Sequence, residues 1–282
     1  MNAAGLFTAI DQTFHDSCQR LTAKPYNDSG VLLVHTPDSY FQNDPTQLVE
    51  LLKQLNSCDP KVIGIVNAGD AYSQNSEFLL ALEQQPFTGK LVVGNSVGSS
   101  QQISGIKTGF VDLDLLNQSI YRQSQAKILT DGELRYSFEA QVARAMLPSD
   151  RLIPIGKFGI RFGAGSRGLP QGKAEDLMNG NLVSELVTGK AILIARQQRP
   201  TFGVFTPLAS STFNSQTKSA QRMSRLELRG NIVETLLRQN QIQKSSWICN
   251  LILLTLLSVL FCQLARQASR ERWLIMLSLI HI

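Results

Sequence analysis

Histidine and tryptophan are scarce in this 282-residue chain, which holds three of the first and two of the second. The three histidines are His15, His35 and His281, and the four cysteines, Cys18, Cys58, Cys249 and Cys262, are never spaced as C-x-x-C. Local spacing therefore assembles no zinc-like cluster, and neither a metal nor another cofactor is expected. Cys18 and Cys58 would be able to pair in an exported domain, and two buried free thiols are the simpler reading. A formal charge of +5 invites a nucleic-acid partner. The Lys and Arg residues are scattered, however, with no dense basic run interleaved with aromatics, so nucleic acid is not an expected partner. No internal repeat is present. The N-terminus, "MNAAGLFTAIDQTFHDSC", has neither a basic n-region nor an apolar h-region.

What the chain does have is one long charge-free run, Trp247 to Ala265, "WICNLILLTLLSVLFCQLA". Its about nineteen residues are long enough to cross a bilayer as a helix, and it lacks the polar stripe of a buried soluble helix. The loop after it, "RQASRER" (266–272), carries three arginines against one glutamate, whereas the other flank offers only Lys244 close to the run. That asymmetry places the loop in the cytoplasm and the large preceding region outside it. A second apolar segment starts at Trp273 and stops at Ile282. Residues 277–282, "LSLIHI", match what a transposon-end adapter would encode. The expectation is a native chain with a membrane helix before Met1 and further sequence after Met276.

Residues 1–243 alternate strand and helix signals. "VLLV" (31–34) has the look of a buried strand. "DPTQLVELLKQLNS" has Asp44 as N-cap, Pro45 at the first helical position, and Leu48, Leu51, Leu52 and Leu55 on one face. "KVIGIVN" (61–67) follows as a strand, then helix "SEFLLALEQQ" (76–85), strand "GKLVVG" (89–94) and an amphipathic helix over "ELRYSFEAQVARAM" (133–146). "GIRF" (159–162) and "AILIA" (191–195) read as strands. A final helix of about residues 217–240 sets Met223, Leu226, Val233 and Leu237 on one face, with Arg222, Arg225 and Arg229 elsewhere on its surface. The alternation points to an α/β domain around one sheet.

Three motifs resemble sites. Gly94-Asn95-Ser96-Val97-Gly98 is a G-x-S-x-G after a strand, the place of a hydrolase nucleophile. The following "SSQQISGIKTG" is a poor helix, and the only downstream histidine is His281, so the glycines are better explained by a turn. Gly163, Gly165 and Gly168 spell G-x-G-x-x-G, but Pro170 and Gly172 break the helix that would hold a pyrophosphate. Dinucleotide binding is set aside on that ground. Asp112 and Asp114 project to one side of an extended segment as a local pair, and Asp131-Gly132 is a turn.

Several phrases resemble the type-two CHASE sensory domain of bacterial membrane-bound cyclases, kinases and cyclic-dinucleotide enzymes. "LELRGNIVETLLRQN" (226–240) is similar to that family's final helix, with Glu227, Asn231, Thr235, Leu236 and Leu237 matching, and Arg229 where the family usually carries histidine. "VTGKAILIA" and "FTPL" resemble its last strand and T-P element through Gly189, Lys190, Ile194, Thr206 and Pro207. "GIRFGAGSRGLPQGKAEDLMNG" is similar to the preceding strand, glycine and short helix. "GFVDLDLLNQSIYR" keeps Gly109 and Arg122, with Asn117-Gln118 in place of the family's D-G. The family's aspartate and tryptophan-proline cluster after the first strand have no counterpart in "VLLVHTPDSYFQN".

The resemblance, covering most of residues 28–240, implies an α/β fold: a single sensor domain with a central sheet flanked by helices, followed by C-terminal transmembrane helices. The segments are then a sensor at 1–243, a transmembrane helix at 247–265, a cytoplasmic loop at 266–272 and the start of a second span at 273–282. It implies a non-catalytic, multi-pass protein of the bacterial inner membrane that receives a small-molecule or envelope signal, with a homodimer as one possible assembly. Arg122 and Arg161 are candidates for holding an anionic group, and salt bridges account for them equally well. Two alternatives stay open: a membrane-anchored serine hydrolase using Ser96, and an envelope interaction module that senses nothing.

Overall fold

The computed structural model describes residues 16, 17, 19, 28–41, 46–66, 82, 84–86, 88–95, 105–111, 121–130, 132–163, 168–180, 184–197, 204–206, 223–239, 255, 256, 258–260, 262 and 263. These belong to two compact units, Met1–Ile242 and Gln243–Ile282.

In the first unit, Val31–Thr36 forms β1, Thr46–Ser57 forms α1 and Val62–Ile65 forms β2. The four leucines of the predicted helix face, Leu48, Leu51, Leu52 and Leu55, are all fully buried. Strands β3 (Leu91–Asn95) and β4 (Lys107–Phe110) extend the sheet to one side. Strand β10 (Ala191–Arg196) inserts between β1 and β2, and β9 (Gln171–Lys173) lies outside β1. The six strands run in the order β4-β3-β2-β10-β1-β9, every neighbouring pair parallel. Strands covered on both faces need continuous apolar runs, which is why "VLLV", "VIGI" and "AILIA" show no alternation.

Two shorter antiparallel pairs flank this sheet. Strand β5 (Gln123–Gln125) pairs with β8 (Lys157–Gly159), and β6 (Lys127–Thr130) pairs with β7 (Glu133–Tyr136), which follows Gly132. Gly132 has φ +79°, a left-handed conformation that suits glycine in so tight a turn.

Helices complete the layers. Ala174–Met178 is α3, which packs with α1 on the sheet face made by Leu32, Val34, Ile63 and Ile192. Phe138–Met146 is α2 and Arg225–Leu237 is α4, and both cover the opposite face around Val31, Leu33, Val62 and Leu193. The outer side of α4 is covered in turn: Leu228, Ile232 and Leu236 join Tyr121, Ile160 and Phe162 in a third cluster. With sheet on one side and this layer on the other, α4 has almost no solvent face.

The structure corrects four sequence expectations. Residues 133–146 are not one helix, because Glu133–Tyr136 pair with β6 and Ser137 caps a helix that starts at Phe138, its hydroxyl accepting from the Ala140 N–H at 3.1 Å. "GIRF" lies mostly beyond β8, which ends at Gly159. Arg229 is buried rather than on the surface. The final helix starts at Arg225, where Ser224 caps it, and ends at Leu237. Helix 76–85, the pair Asp112 and Asp114, Asp131, Gly165 and Arg222 fall on or mainly on residues outside the described set, as do most of residues 247–282.

In the second unit, described residues 255, 256, 258–260, 262 and 263 are helical, and Leu256, Val259 and Leu260 are exposed. Among the described residues, no helix is long and apolar enough to cross a membrane.

Candidate functional site

Four polar side chains of α4, Arg229, Asn231, Glu234 and Thr235, are buried and hold its neighbours. Asn231 accepts the Gly163 N–H through Oδ1 at 3.0 Å and donates to the Glu227 carbonyl at 2.8 Å. Thr235 Oγ1 accepts the Arg161 N–H at 3.0 Å. Residues 161 and 163 beyond β8 thus bond to helix side chains instead of a strand, although "GIRF" has the pattern of one. Glu234, 2% exposed, accepts from the Gly30 N–H and the Ser29 hydroxyl, each at 3.2 Å, and from Arg238 Nε at 2.6 Å. Arg229 pairs with Glu139 of α2 and donates to the Val111 carbonyl at 2.6 Å. At the N-terminus of α4, burial pushes the Glu227 carboxyl up, opposed by a backbone hydrogen bond at Ser224.

A crevice of about 440 Å³ opens at the carboxyl ends of β1, β9 and β10. Register alone brings its residues together. His35 is the lateral partner of Lys173, and Thr36 is the partner of Arg196. His35 follows Val31 and Leu33 in alternation and so projects on the α4 side, whereas Arg196 follows Ile192 and Ile194 to the α3 side, where it lies 5.7 Å from the Phe41 ring centre. The crevice therefore spans the sheet's edge between a helix on each face, with Asp176 of α3 and Ser224 before α4 as its walls. The carboxyl end of a parallel sheet, between helices on opposite faces, is where open α/β sheets place ligands. His35 Nε2 donates to Gln171 Oε1 at 3.2 Å. Burial pulls the His35 imidazole below its ordinary value, and the Gln171 bond opposes that.

Neither sequence candidate lines this crevice. Arg122 forms a two-point pair with Asp16, Nε to Oδ1 at 2.7 Å and Nη2 to Oδ2 at 2.6 Å, and an added anion would compete with that carboxylate. Its carbonyl accepts the Ile160 N–H, so Arg122 and Arg161 lie on adjoining segments. Ser96 is outside the described residues. Gly94 of its motif packs against Val111 and Phe138, a close approach that explains the glycine without a nucleophile. After Gly168, the chain enters strand β9 and not a helix, in keeping with setting a dinucleotide fingerprint aside. Cys58 is a free thiol, half-buried against the core, and Cys18 lies outside the described residues. Among the described residues, no group of three or more His, Cys, Asp or Glu is placed to hold a metal ion.

The family model of the CHASE2 domain matches residues 1–264. The chain belongs to the CHASE2 family. CHASE2 domains are extracytoplasmic, non-catalytic sensor domains of membrane signalling proteins. No curated protein and no solved structure matched the chain. Within this CHASE2 domain, the phrases that carried the resemblance have structural reasons: Asn231 and Thr235 hold residues 161–163, and Gly109 faces the α2 backbone. The crevice residues His35, Lys173 and Arg196 were not identified as a group from sequence. A titratable or charged residue at the end of each buried strand, "VLLV" then His35 and "AILIA" then Arg196, was the available signal.

Proposed function

We propose that the chain is the sensory input region of a bacterial inner-membrane signalling protein. Residues 1–243 lie outside the cytoplasm and pass their state through α4 to a transmembrane helix at 247–265. A cytoplasmic loop at 266–272 and a second span from 273 lead on to a cyclase, kinase or diguanylate cyclase. The observation that carries the reading is the setting of α4, a family-matched helix touching the sheet, α2 and the 158–162 layer at once. A change in any of these must move α4 or be resisted by it, because packed interiors do not deform continuously. In sequence, roughly nine residues separate the end of α4 from Trp247. The charge-free run beyond it, with Leu256, Val259 and Leu260 exposed on a helix, has the chemistry of a lipid-facing segment.

The test is topological. In a variant with all four cysteines replaced by serine, Leu129→Cys and Ser269→Cys are probed in intact cells with a membrane-impermeant maleimide. Position 129 labels in intact cells and position 269 only after lysis. Labelling of 269 in intact cells, or protection of 129, rejects the placement.

A further inference from the structure

We propose that the crevice at the carboxyl ends of β1, β9 and β10 binds a small organic anion, its carboxylate or phosphate groups held by His35 and Lys173 on one side of the strand ends and by Arg196 on the other. The class of ligand rests on the sensory reading for its purpose, whereas binding is measured without any output domain. At about 440 Å³ the crevice is the size of a metabolite site and too small for a macromolecule.

Charge sets the ligand's sign. Lys173 and Arg196 bring two basic groups to the ends of β9 and β10, one on each side of β1, against the single carboxylate of Asp176 among the described lining residues. His35 adds a third positive charge when protonated, and an anion beside it favours that form. Gln171, Gln197 and Ser224 line the rest with amide and hydroxyl groups, so a ligand bearing hydroxyls or further oxygens is matched better than an apolar one. The same crevice touches β1, β10 and the start of α4, so an occupant bridges the sheet to the helix proposed to carry the signal.

The full chain, in detergent micelles, is titrated calorimetrically with inorganic phosphate, citrate, succinate and glucose 6-phosphate, with glycerol as the uncharged control. At least one anion binds and glycerol does not. Carboxylates alone or phosphates alone identify the anchoring group. Arg196→Gln and Lys173→Gln each weaken binding tenfold or more. Because Arg196 also covers Phe41, the Lys173 variant, at an exposed strand end, keeps the test independent of folding, and circular dichroism checks both. Absence of binding by all four anions, or equal binding by wild type and a folded Lys173→Gln, overturns the assignment. Either result leaves the topological test of the sensory reading standing by itself.

Discussion

Arg229 of α4 and Glu139 of α2 form an ion pair almost wholly shut off from solvent, with side chains 5% and 0% exposed. Arg229 also donates to the Val111 carbonyl, while its Nε and Glu139 Oε2 have no hydrogen-bond partner among the described residues. A pair desolvated this far adds little net stability against an apolar replacement, yet breaking it strands a buried charge. Its clearer role is to fix α4 against α2, the two helices that share one face of the sheet.

Arg229→Met is expected to destabilise the fold by about 3–5 kcal/mol in urea denaturation, and Glu139→Leu by a similar amount. The double variant Arg229→Met with Glu139→Leu regains most of that loss. If the two losses simply add, the carboxylate and guanidinium are not energetically coupled.

Gly109 on β4 faces the start of α2 so closely that an added Cβ would lie 2.5 Å from Phe138 Cα. The obstacle is backbone and has no flexible end to swing away. Gly109→Ala is expected to cost about 1–3 kcal/mol by overpacking, measured as a lowered denaturation midpoint. An unchanged midpoint shows that α2 can move off the sheet at little cost.

His35 gives a pH signature. Its folded value lies below the ordinary 6.5, chiefly through burial, so the unfolded chain takes up the proton first as pH falls. Stability then decreases as pH drops through and below 6.5 and is unaffected by His35 well above it. Lys173, Arg196 and Asp176 are the charged groups that share the crevice with it. Comparing wild type with His35→Gln between pH 8 and pH 5 shows a smaller acid loss in the variant. Parallel curves refute the assignment.

Gln239 closes α4 with φ +51°, a left-handed conformation that favours glycine after a helix. Gln239→Gly is expected to stabilise the domain by about 0.5–1 kcal/mol. A loss of stability in thermal melting shows instead that the glutamine side chain contributes more than its backbone costs.

The strands with long apolar runs were legible because burial on both faces writes itself into composition, and α1 was legible because its four leucines recur at helical spacing. Strands β4, β5, β8 and β9 were not. "KTGF", "QSQ", "KFG" and "QGK" are short, lie at an edge or outside the main sheet and carry no periodicity. Gly132 before β7 was legible as a turn glycine, but the helix formers of "ELRY" masked the strand itself. Arg229 was misplaced because a charged residue is normally outside, and its burial is made tolerable by Glu139, 90 residues away, and by the Val111 carbonyl. The crevice depends on register between strands far apart in sequence, which neither spacing nor composition encodes.

The central claim is that α4 passes the state of the sensor to the membrane helix through a short connection. It is tested by inserting a flexible Gly-Ser linker after Gln241 in the protein carrying its output domain, and measuring output activity with and without stimulus. The account predicts a folded domain, with an unchanged denaturation midpoint, whose output no longer responds. A response equal to that of the uninterrupted protein would contradict it.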